Sequence, residues 1–146
     1  MTTHQDLPRF ELGFPGPLRD RLVAAVLSGA KTATTGLLTE YARFDEPLPV
    51  VGQQAVLPDS AGRPVAVIEL TGVAVLRLAD VGRAHAQAEG EGHTTVGAWR
   101  AGHEEYWHGP DMREALGDPE FTVDDDTMVV TETFRVAERL AAPDAG

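Results

Sequence analysis

The sequence predicts an α+β fold, a small mixed β-barrel decorated by short helices, and three observations predict it. One amphipathic helical pattern stands near the N-terminus, in "PLRDRLVAAVLS". Runs rich in valine, isoleucine and threonine follow it, unequal in length and divided by Pro, Gly, Asp and Ser. The regular alternation of strand and helix that a parallel sheet requires is missing.

Each element can be justified in turn. Residues 17 to 28 set Leu18, Leu22, Val23, Val26 and Leu27 on one helix face, with Pro17 at the start and Gly29 just past the end. The prolines of "RFDEPLPVVG" interrupt regular structure, predicting a loop that leads into a strand over Gln54 to Leu57. "PDSAGRP" then supplies the turn of a hairpin, and "VAVIELTGVAVLRL" predicts one long or bent strand, with Gly72 as the candidate for the bend. "ADVGRAHAQAEG" predicts a short helix ending at Gly90. "TTVGAWRAGHEEYW" predicts another, with Val96, Trp99, His103 and Tyr106 or Trp107 along one side. "FTVDDDTMVVTETFRVAERL" predicts one or two closing strands, broken near Asp124 to Asp126, and residues 141 to 146 a frayed tail. No internal repeat or linker divides the chain, so residues 1 to 146 are expected to form a single domain.

Charge and composition exclude several functions. Twelve Lys and Arg against 23 Asp and Glu give a formal charge of -11, which repels polyanions and withholds the counterion release that drives nonspecific nucleic-acid binding. Any nucleic-acid role needs a local basic site. With no cysteine, a disulfide framework, a thiolate zinc site and a cysteine nucleophile are all impossible. The N-terminus lacks a basic region followed by an apolar run, and no long uncharged apolar stretch occurs. The expectation is a soluble, cytoplasmic protein without a membrane partner.

Three motifs fail on inspection. In "HEEYWH" the second histidine follows the first by five residues, so His103 and His108 diverge around a helix instead of sharing a zinc ion. "EGEGH" lacks the third glycine of a phosphate loop and predicts a tight turn. "DDD" lacks the glycine and spaced oxygens of a calcium loop. No metal and no cofactor are expected.

The remaining chemistry gathers at "GAKTATTG". Lys31 and Thr34 are three residues apart, which brings side chains together on a helical turn and sends them to opposite faces of an extended strand. The bland alternative has Lys31 facing the end of the preceding helix while the threonines begin a strand. Glu69 interrupts an apolar run. Alternation sets it with Val65 and Val67 against Ala66, Ile68 and Leu70, and leaves open which side is buried. An inward Glu69 needs a cation such as Lys31.

The combination of "GxKTAT", "IEL", "EGEG" and "WRxxHxxYW" resembles the ASCH domain, a relative of the PUA fold, from about Phe10 to Val136. In that family a lysine, a threonine and a barrel-strand glutamate line a cleft, which the resemblance carries to Lys31, Thr34 and Glu69. Some small bacterial members are amidohydrolases that remove acyl groups from the exocyclic nitrogen of cytosine nucleosides. The resemblance therefore implies Thr34 as nucleophile and either Lys31 or Glu69 as base. If Glu69 is the base, Lys31 stabilises the oxyanion. Trp99, Arg100 and His103 are the expected substrate-binding residues, and a nucleoside-sized molecule is the expected partner. The alternative is an RNA-binding module, with ribonuclease activity as a variant, stacking and binding phosphate through Arg100, His103 and aromatic residues. A third reading is a non-catalytic domain for a modified nucleoside. Two departures bear on substrate choice: Gly36 stands where some members have arginine, and His93 where aspartate is common.

Overall fold

The computed structural model describes residues 6 to 140, so the tail expected over 141 to 146 lies outside the described residues. Helix α1 (Pro17–Ser28) opens with Pro17, whose missing N–H belongs to a turn that has no intrahelical partner for it. It stops at Gly29, which adopts a left-handed φ of 86° and returns its N–H to the Val26 carbonyl. The chain then extends into β1 (Ala33–Leu37), followed by α2 (Leu38–Arg43), a helix that the prolines downstream concealed.

The hairpin predicted at "PDSAGRP" joins β2 (Gln54–Pro58) to β3 (Pro64–Arg77). Asp59 Oδ1 accepts from the backbone N–H groups of Ala61 and Arg63, both at 2.9 Å, and so holds the turn. Past a short 3₁₀ turn at Leu78–Asp80 come α3 (Arg83–Ala88), α4 (Val96–Trp107), α5 (Pro110–Leu116) and β4 (Met128–Arg139). Thr95 caps α4 by accepting from Ala98 N–H at 3.0 Å. The closing segment forms one strand. Its acidic run is a turn in which Asp126 N–H donates to Asp124 Oδ1 at 2.9 Å.

The strands form one curled antiparallel sheet, a half-barrel in the order β1-β4-β3-β2. The long strand bends where expected, with the β3–β4 register shifting between Leu70 and Gly72. A Cβ at Gly72 would lie 2.5 Å from Thr133 Oγ1, so a side chain there would have to push that hydroxyl aside.

Two cores share the sheet. On one face, Val23 and Val26 of α1 pack with Phe10, Leu57, Ala66, Ile68, Leu70 and Phe134. On the other, Leu37 and Val129 meet Trp99 and Trp107 of α4 and Met112 of α5. Both tryptophans are buried, and truncating either to alanine costs about 3–5 kcal/mol. No helix among the described residues is long and apolar enough to cross a membrane.

Candidate functional site

The site begins with a close backbone approach. Gly90 has φ 69°, and a Cβ there would stand 2.2 Å from the Ala30 carbonyl oxygen. Only glycine lets the end of α3 lie against residues 30 to 32, where Thr32 N–H donates to the Ala88 carbonyl at 2.8 Å. The "EGEG" turn thus carries Glu89 to Lys31.

Lys31 is fully buried, and its Nζ lies 3.6 Å from Glu89 and 3.9 Å from Glu91 while donating to the Glu89 carbonyl at 3.3 Å. Glu89 is equally buried and collects donors from three elements. Its Oε2 accepts from the Thr35 hydroxyl of β1 at 2.6 Å and from His85 Nε2 of α3 at 3.1 Å. Its Oε1 accepts from His103 Nε2 of α4 at 3.1 Å. Burial alone would raise the Glu89 pKa, but the bonds from His103 and His85 and the Lys31 charge hold it well below the usual carboxylate range.

Geometry also fixes the charge of His103. Its Nδ1 lies 2.9 Å from the Trp99 carbonyl and its Nε2 faces Glu89. Both partners accept, so both ring nitrogens carry protons and the ring is an imidazolium. Burial works against that cation, yet the Glu89 hydrogen bond and charge outweigh it and leave the pKa above its ordinary 6.5. The ring stacks on Trp99 with centroids 4.3 Å apart, a contact that favours the cation further.

Glu89, Glu91 and His103 place ligand atoms within 4.8 Å of one another, the spacing of a metal site. The donor set argues against a metal. The Lys31 ammonium and the His103 imidazolium together balance the two carboxylates, and a protonated His103 has no lone pair to give.

Several residues expected at the site lie elsewhere. Glu69 is not the partner of Lys31: its carboxylate accepts from Arg135 at 2.9 Å. The physical reason is the strand face left open by alternation. Ala66, Ile68 and Leu70 pack into the core, which turns Glu69 outward. Thr34 and Lys31 also separate. The segment is extended, so residues three apart diverge, and the hydroxyl that reaches the Lys31 cluster is Thr35. Thr34 pairs across the strands with Glu132.

Arg100 is held by Glu104, at 2.7 Å, and by Asp125. His103 belongs to the cluster through its bond to Glu89 Oε1. Trp99 supports it from below, but a fully buried indole offers no open platform to a substrate. Glu89, Glu91, His85 and Thr35 were missed by sequence reasoning. The histidine four residues before Glu89 was the available signal, since i and i+4 share a helix face.

A cavity of about 250 Å³, lined in part by Lys31, Thr32, Phe134, Arg135 and Arg139, meets the cluster at Lys31 but includes none of Thr35, His85, Glu89 or His103. Another, of about 480 Å³, lies around α5 between His108 and Pro119 and includes none of the cluster residues. His108 shares no ligand position with His103, because its Nε2 accepts from Val123 N–H at 3.0 Å.

Comparison with known proteins agrees with this architecture. The ASCH domain profile matches residues 12 to 138. A crystal structure of a protein from Enterococcus faecalis V583 is 30% identical, covers 92% of this chain and 77% of its own, and superposes with a TM-score of 0.74. An ASCH domain from Lactobacillus crispatus JV V101 is 25% identical over 92% of this chain and 84% of its own, with a TM-score of 0.73. A mutant ASCH protein from Zymomonas mobilis, 11% identical over 93% and 73% with a TM-score of 0.55, shares the fold. No protein of curated function matches. The chain belongs to the ASCH domain family.

Proposed function

We propose that this chain hydrolyses a neutral acyl amide of nucleoside size, with the N-acylated exocyclic amine of cytosine as the substrate that the family resemblance implies. The observation that carries the reading is the convergence of Lys31, Thr35, His85 and His103 on the buried Glu89 carboxylate. A buried nucleophile–acceptor pair beside fixed cations is the arrangement that acyl transfer uses.

Thr35 Oγ1, held by its hydrogen bond to Glu89 Oε2 at 2.6 Å, attacks the acyl carbonyl. The developing oxyanion is stabilised by Lys31 or by the His85 Nε2–H. Collapse expels the amine, which leaves with the threonine's proton, and water then cleaves the threonine ester to the free acid and hydroxyl. Glu89 takes the place beside Lys31 expected of Glu69, as the anion that orients the hydroxyl. Lys31, paired with two carboxylates, acts as the cation rather than the base. A polymer-binding reading loses its cation because Arg100 is committed to Glu104 and Asp125.

The test is incubation of the purified protein with a panel of N-acylated cytidines and short RNAs, with products identified by mass. Release of the acyl group by the wild type, lost in Glu89→Gln and Lys31→Met, is the expected result. Intact acylcytidines, or cleavage of RNA alone, would overturn it.

A further inference from the structure

The cavity of about 250 Å³ has a lining unlike the rest of the chain. Acidic residues outnumber basic ones by 23 to 12 overall, yet Lys31, Arg135 and Arg139 line this cavity and no carboxylate does. Cations gather here against the average. The Lys31 ammonium is already held by Glu89 and Glu91, which leaves the two arginines as the donors. Arg135 gives one nitrogen to Glu69, and Arg139 donates to the Leu27 carbonyl at the end of α1. A guanidinium carries five N–H groups, so both keep donors for a further acceptor.

The backbone adds another. On the β1 side of β4, Phe134 N–H donates to the Thr32 carbonyl at 3.0 Å, and alternation aims the Val136 N–H to that same side, at the cavity Val136 lines. Ile68 stands opposite Val136 in the register but cannot receive that N–H. Leu70 exchanges hydrogen bonds with Gly52 and Gln53 beyond the other edge of β3, and alternation turns Ile68 the same way. The carbonyls ending α1, which would repel an anion, are already spent. That of Ala25 accepts from Lys31 N–H at 3.0 Å, that of Val26 from Gly29 N–H at 3.1 Å, and that of Leu27 from Arg139. The remaining wall is apolar: Val26 and Phe134 are buried and Val136 is half-buried.

We propose that this cavity is a binding site for a short-chain aliphatic monocarboxylate. The planar carboxylate matches the guanidinium forks of Arg135 and Arg139 and accepts from Val136 N–H, while the tail lies on Val26, Phe134 and Val136. A bare inorganic anion would leave that apolar wall unused, and an uncharged molecule would leave the arginines unused. The site does not rest on the hydrolase reading, because Thr35 and Glu89 lie outside its lining.

Calorimetric titration with butyrate tests it, and a failure of acyl-amide hydrolysis leaves the result intact. Wild-type protein should bind butyrate at least about tenfold more tightly than butyramide, which has the same shape without the charge. Acetate should bind about tenfold more weakly than butyrate, since two methylenes leave the apolar wall. Arg139→Gln and Arg135→Gln should each weaken butyrate binding about tenfold. Both arginines are exposed, so neither change removes core packing. Equal binding of butyrate and butyramide, inorganic phosphate bound as tightly as butyrate, wild-type affinity in either arginine variant, or no binding by the wild type would each overturn the proposal.

Discussion

Glu89 and Glu132 are both carboxylates buried against the same sheet, and their surroundings drive them in opposite directions. Glu89 receives hydrogen bonds from Thr35, His85 and His103 and the charge of Lys31, so it stays ionised to unusually low pH. Glu132 has the Tyr41 hydroxyl at 3.4 Å, and burial raises it to about 7. Depth is similar; donors differ. Burial sets the cost of a charge, and the number of donors aimed at it decides whether the protein keeps that charge or surrenders it to a proton.

The strongest way to break the comparison is to delete each carboxylate in turn. Glu89→Leu strips His103 of its carboxylate partner and leaves Lys31 with Glu91 alone, and should cost about 3–5 kcal/mol in urea unfolding at pH 7. Glu132→Leu should be neutral or stabilising at the same pH, since no cation loses a partner. Equal destabilisation by both would end the distinction drawn here.

The pH dependence sharpens it. A folded pKa raised from 4.5 to about 7 means that folded Glu132 keeps a proton the unfolded chain has lost. Its contribution therefore falls as pH rises from about 4.5 to about 7, by about 3 kcal/mol in all, and is level above that window. Glu89 has the opposite sign: its contribution is full above 4.5 and is lost as pH falls below it. His103 adds a contribution that is present below 6.5 and lost as pH rises through its elevated folded value. Stability measured by denaturation across pH should peak in mildly acidic solution, and Glu132→Gln should flatten the neutral side alone. A curve still climbing between pH 5 and 7 would contradict these assignments.

Smaller effects separate the two threonines. Thr35→Ala removes a half-buried donor to Glu89 and should cost about 1 kcal/mol of stability, together with the hydrolysis proposed above. Thr34→Ala should change stability by less than about 0.5 kcal/mol. Comparison of turnover in the two variants decides which hydroxyl is the nucleophile. Activity lost in Thr34→Ala and kept in Thr35→Ala would move the chemistry to the Glu132 face.

Much of this was legible in the chain. The helix over 17 to 28, the hairpin at "PDSAGRP", the bend at Gly72 and the turn in "EGEG" rest on local rules: helical periodicity, turn residues and backbone freedom at glycine. The family resemblance rested on residue order alone, and "GAKTATTG" indeed ends a helix, turns and begins a strand. Its lysine nevertheless belongs to a polar cluster, so neither description of that segment excluded the other.

Sequence determined that Lys31 and His103 would sit among chemistry-bearing neighbours, but tertiary structure chose the neighbours. The partner of Lys31 is Glu89, 58 residues away in sequence, rather than Glu69. That choice depends on two things no local rule contains. One is the face of β3 that packs on α1, which sent Glu69 to Arg135 at the surface. The other is the contact of Gly90 with Ala30, which set the end of α3 against the start of β1. Alternation along a strand says which side chains share a face, and only the packing of the other elements says which face is buried.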